Sequence, residues 1–62
     1  MMITELVTLT ARRYVVGLSL PDHSREVKEI RKAHDAYYIY YKDRTHTTRV
    51  HFAAVESTTE VD

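Results

Sequence analysis

Residues 37–41 read Tyr-Tyr-Ile-Tyr-Tyr, four tyrosines and an isoleucine in five consecutive positions. Aromatic and β-branched side chains favour a pleated strand. A strand sends successive side chains to opposite faces. Tyr37, Ile39 and Tyr41 therefore share one face, and Tyr38 and Tyr40 share the other. Both faces are aromatic, so both gain from being covered.

The chain is 62 residues long and has no cysteine. A chain of this size buries only about 60% of its unfolded surface. With no disulfide or thiolate zinc site available, its net stability is expected to be about 3–5 kcal/mol. Oligomerisation or a partner are the remaining staples. The lack of cysteine fits a cytoplasmic protein, since small secreted domains tend to be disulfide-rich. Met1-Met2-Ile3-Thr4-Glu5 lacks the basic and apolar regions of a signal peptide. No apolar run approaches a membrane span.

Formal charge is balanced overall, but residues 1–55 carry nine basic against six acidic residues. The last seven hold Glu56, Glu60 and Asp62 with no base. The expected organisation is a single α+β domain over residues 1–56 and a short acidic, disordered tail at 57–62. A near-neutral balance lacks the strong basic footprint of many nucleic-acid-binding domains.

Residues 2–10 read as a strand, with Ile3, Val7 and Leu9 on one face and Leu6 on the other. A helix through Tyr14 is the rival reading. Residues 10–13 must connect to the next element, yet they carry no Gly, Asn, Asp or Pro to set a tight turn. Tyr14–Leu20 alternates as a second strand, with Gly17 inside it marking a bulge or a close backbone approach. Pro21 ends that strand, and Asp22 or Ser24 can cap a helix. Val27, Ile30, Ala33 and His34 form its inner stripe, which places Lys28, Glu29, Arg31 and Lys32 in water. The tyrosine strand follows, then a loop at 43–47 and a last strand at about 48–56. These two strands should pair as an antiparallel hairpin.

The spacing thus predicts strand–strand–helix–strand–strand: a small antiparallel or mixed sheet of three to four strands with one helix on one face. The expected core is Ile3, Val7, Leu9, Tyr14, Val16, Leu18, Leu20, Val27, Ile30, Tyr37, Ile39, Tyr41, Val50 and Phe52. No helix remains for the other face. In layout, the stretch from Tyr14 to Val55 is similar to modules of gyrase-inhibitor-like ligand-binding domains and to some small phage-encoded inhibitors of host enzymes. That likeness implies a small inhibitor or binder and transfers no residues.

Motifs for chemistry are sparse. The four histidines show no i,i+4 helical pair and no carboxylate at ligand spacing, so no metal or other cofactor is expected. Ser24 after His23 reads as a cap, not a nucleophile. Asp43 and His46 could pair in a loop without a pocket. No catalytic residue and no small-molecule substrate are expected, because so short a chain rarely builds a water-excluding cleft. The expected site is the uncovered face: Tyr38, Tyr40, Lys42, Arg44, Arg49 and His51, with Arg13 at its edge. Aromatic residues rimmed by arginine suit a protein partner or a second copy. The function expected is that of a non-enzymatic binding module, inhibitor or regulator. The alternative is single-stranded nucleic acid, with Tyr38 and Tyr40 stacking bases and the cations meeting phosphates.

Overall fold

The structure is a computed structural model that describes residues 2–21 and 24–62. It contains six strands: β1 (Met2–Thr8), β2 (Arg13–Val15), β3 (Val27–Lys32), β4 (Ala36–Tyr41), β5 (Thr47–His51) and β6 (Val55–Val61). A single 3-10 turn at Phe52–Ala54 joins β5 to β6. All pairings are antiparallel. β3, β4 and β5 form a meander, and β6 returns to pair with β1. β1 gives one edge to β6 and divides the other between β2 and β3. The Cα positions span 26 × 25 × 19 Å, too thick for one flat layer, so the sheet curls around its own apolar face.

The α+β expectation is therefore corrected: where a helix was expected, the chain forms β3. The reason is a bulge. Val27 opposes Tyr41, but Glu29 opposes Tyr40, which leaves Lys28 as an extra residue. A bulge resets the two-residue alternation. Val27 and Ile30, three apart, consequently point to the same buried face, and that spacing imitates a helical stripe. His34 is exposed in the β3–β4 turn, closed by the Ala33 N–H on the Ala36 carbonyl at 2.9 Å. Asp22 and His23, expected at the helix start, lie outside the described residues. Ser24 uses its carbonyl to accept from the Ser19 hydroxyl. Without the helix, the likeness in layout to inhibitor modules no longer holds.

The same device recurs twice. On β1, Ile3 opposes Glu60 and Glu5 opposes Thr59, so Thr4 is extra. Ile3 and Leu6 are then both buried, and Leu6, expected on the outer face, is fully enclosed. On β6, Val7 opposes Ser57 and Thr8 opposes Val55, so Glu56 is extra. Residues 55–61 are thus a paired strand and not a disordered tail.

The core consists of Ile3, Leu6, Tyr14, Leu20, Val27, Ile30, Ile39, Tyr41 and Val50. Leu9 and Leu18, expected inside, are 66% and 58% exposed. Both lie in connections. Ala11 adopts φ 67, the left-handed conformation that lets the β1–β2 turn close without glycine. The Thr8 hydroxyl accepts from the Arg12 N–H at 3.1 Å and holds that turn. Gly17, at φ 93, turns the chain after β2 instead of sitting inside a longer strand, and its N–H reaches the Val27 carbonyl at 2.9 Å. The expected β4–β5 hairpin is present, with Tyr38 opposite Arg49 and Tyr40 opposite Thr47. β5 ends at His51, because the chain turns at Phe52.

Candidate functional site

The curl encloses Ile39 and Tyr41 and covers part of Tyr37, leaving Tyr38 and Tyr40 on the outer surface of β4. Their cross-strand neighbours set their surroundings. Arg31 on β3 and Arg49 on β5 flank Tyr38, while Glu29 and Thr47 flank Tyr40.

The two tyrosines differ. The Tyr38 hydroxyl donates to Asp35 Oδ2 at 2.8 Å, and Arg49 Nε lies 3.5 Å from the same oxygen. That hydrogen bond holds the Asp35 carboxyl below its ordinary pKa. Tyr38 is half-buried and tied to the β3–β4 turn, whereas Tyr40 is 36% exposed.

Tyr40 lies in a groove of about 450 Å³ that is also lined by Lys28, Glu29, Arg31, Arg44 and His46. Arg31 Nε donates to Glu29 Oε2 at 2.7 Å, which raises the guanidinium pKa further. Lys28 and Arg44 have no carboxylate partner among the described residues. Arg44 holds a left-handed backbone, φ 62, at the turn after β4. His46 Nδ1 lies 2.9 Å from Asp43 Oδ2, and Asp43 Oδ1 accepts from the Thr45 N–H at 3.0 Å. Desolvation pushes the Asp43 carboxyl up, but the Thr45 N–H and the His46 ring outweigh it and hold the pKa low. The Asp43–His46 pair considered from sequence does form, and it closes the turn at the groove's end.

A second concavity of about 600 Å³ lies on the other side of β3. β1 meets β3 through the single pair Ile3–Ile30, and the strands part beyond it. Met2, Ile3, Val16 and Ile30 supply its apolar lining, with Lys28, Arg31 and Lys32 among its polar residues. Lys28, Glu29 and Arg31 line both concavities, so the two adjoin across β3.

Of the residues expected at the site, Tyr40 and Arg44 share this groove, and Tyr38 and Arg49 stand beside it. Lys42 leaves it: Nζ is 2.6 Å from Glu26 Oε2. His51 caps the 3-10 turn, accepting from the Ala53 N–H on Nδ1 at 3.3 Å. Arg13 sits on β2, away from β4 in the sheet order, and pairs with Glu5. Sequence reasoning missed Lys28 and Arg31, because as helix residues they faced water far from the tyrosines. The signal that could have found them is the β-branched Val27 and Ile30 flanking a residue able to bulge.

Among the described residues, no three His, Asp or Glu side chains converge as a metal site, and no helix is long and apolar enough to cross a membrane. No protein family, curated protein or solved structure matches the chain.

Proposed function

We propose that this chain is a small, non-enzymatic cytoplasmic protein that binds another protein through the outer face of β3, β4 and β5. The observation that carries the reading is Tyr40: an exposed ring in a concave surface that Arg31 and Arg44 also line. Aromatic and arginine side chains in such a setting are the usual anchors of binding surfaces. Tyr38, Asp35 and Arg49 support the anchor from the neighbouring turn and strand.

A different partner is favoured over pairing with a second copy through the edge of β5 or β6, each of which has one strand partner among the described residues. Pairing β6 with itself over its whole length, antiparallel and centred on Thr58, would oppose Glu56 to Glu60. The same pairing of β5 would oppose Arg49 to Arg49. Like charges directly opposite destabilise a strand pair. Sedimentation over a dilution series tests this, and concentration-dependent assembly of the pure protein would count against it.

Single-stranded nucleic acid is the second reading, favoured by the exposed Tyr40 ring beside Lys28 and Arg44. Affinity capture from the native host, with and without nuclease, separates the two. A stoichiometric protein should survive nuclease and be lost with Tyr40→Ala, which should weaken binding by about 2 kcal/mol, roughly thirtyfold. Recovery of nuclease-sensitive material alone would overturn the protein reading.

A further inference from the structure

Resting on the reading that this face binds a protein, we infer that its partner segment is an acidic, extended peptide with one large apolar side chain. The segment would lie across β3, with the apolar side chain in the concavity at Met2, Val16 and Ile30 and its carboxylates over Lys28 and Arg44.

Three observations specify this chemistry. The first is continuity. Lys28, Glu29 and Arg31 line both concavities, so one ligand can occupy both. The second is polarity. One end has Met2, Ile3, Val16 and Ile30 in its lining beside five charged residues, and Met2 is 58% exposed. The other end carries Tyr40, Arg44 and His46. The third is charge. Lys28, Arg31, Lys32 and Arg44 border the two concavities against Glu29 and Glu60. Glu29 is engaged by Arg31, and Lys28 and Arg44 are left without a carboxylate among the described residues. Arg44 stands in the turn after β4 with a left-handed backbone, its N–H on the Tyr41 carbonyl at 3.2 Å.

The spacing follows from the sheet. Met2 and Ile3 lie on β1, Lys28 one strand step away on β3, and Arg44 between two and three steps away in the turn from β4 to β5. One to two and a half steps span about 5–12 Å, the length of about two to four extended residues. The apolar side chain should therefore stand about three residues from the centre of the acidic run. Either polarity of the peptide satisfies the geometry.

Fluorescence anisotropy tests this with a fluorescein-labelled peptide carrying one leucine three residues before the middle one of three consecutive glutamates. Two control peptides replace the leucine by serine or the glutamates by glutamines, and a labelled oligothymidine is the nucleic-acid control. The leucine–glutamate peptide should bind, and losing the leucine should weaken it about tenfold or more. Losing the glutamates, or reversing charge with Lys28→Glu or Arg44→Glu, should weaken it about fivefold or more. Met2→Ser should reproduce the loss of the leucine. All three protein substitutions are at exposed positions, and far-UV circular dichroism checks that each variant is folded. Equal binding of the three peptides, or no binding of the leucine–glutamate peptide at its solubility limit, would overturn the inference. Tighter, steeply salt-dependent binding of oligothymidine would also overturn it, together with the protein reading. A host protein lost with Tyr40→Ala but captured undiminished by the Lys28→Glu and Arg44→Glu variants would overturn the acidic-peptide inference alone.

Discussion

Leu6→Ala and Val7→Ala form a pair of substitutions with opposite expectations under the two ways of pleating β1. With unbroken alternation from Ile3, Val7 lies inside and Leu6 outside. With Thr4 as a bulge, Leu6 lies inside, opposite Tyr14 on β2 and Thr58 on β6, and has no exposed surface. Truncating a fully buried leucine costs about 2–5 kcal/mol, the lost transfer energy plus the cavity left behind. A cysteine-free chain of this length holds about 3–5 kcal/mol in total. Leu6→Ala should therefore remove most of the stability. At a urea dependence of about 1 kcal/mol per molar, the unfolding midpoint should fall by about 2 M or more. Val7 is only partly buried on the outer face, and Val7→Ala should cost about 1 kcal/mol or less. Urea titrations followed by tyrosine fluorescence and far-UV circular dichroism give both midpoints. A Val7→Ala midpoint as low as that of Leu6→Ala would refute the bulge.

Ala11→Gly should stabilise the protein by about 0.5–1 kcal/mol, because it relieves left-handed strain of about 1–2 kcal/mol and returns part of that as backbone entropy; thermal unfolding checks the sign. Gly17→Ala should do the reverse and lower the melting temperature, through backbone strain alone, since no atom beyond its chain neighbours lies within 4 Å of the added carbon. Tyr38→Phe should raise the Asp35 carboxyl toward its ordinary pKa, which a carboxyl-detected NMR titration reads directly. The depressed folded-state pKa contributes stability that is present above the unfolded carboxylate value and lost as pH falls through the folded one. The variant should therefore be less stable than the parent at neutral pH, with the difference closing in strong acid; a difference independent of pH would count against it.

The two-residue period was legible wherever the strands are unbroken. The tyrosine run showed which of its side chains lie inside, and the β4–β5 pairing followed from the short loop. Legibility failed where one extra residue shifts the phase. Val27 and Ile30 stand three apart in either a helix or a bulged strand, and the neighbouring Lys28, Glu29, Arg31 and Lys32 favour helix by intrinsic propensity. Cross-strand packing against Ile39 and Tyr41 overrides that propensity in the fold. The acidic end was read as a tail because Glu56, Glu60 and Asp62 stand there with no base, yet this segment pairs with β1 along its whole length. Tyr40 and Arg44 stood out in the sequence for aromatic and charge content, and the fold places both in one groove. Lys28, Arg31 and the Met2–Ile3–Val16 concavity depend on how β1 and β3 part, which is a property of the assembled sheet.

The groove exists only if residues 27–32 are a strand, and long-range proton contacts measured by NMR on isotope-labelled protein test this most directly. The account predicts cross-strand contacts between Val27 and Tyr41 and between Ile30 and Ile39, with large backbone couplings from 27 to 32 and a break at Lys28. Strong sequential amide–amide contacts over residues 24–35, with α-proton to amide contacts three residues apart and none to β4, would establish a helix there and contradict both the fold and the site built on it.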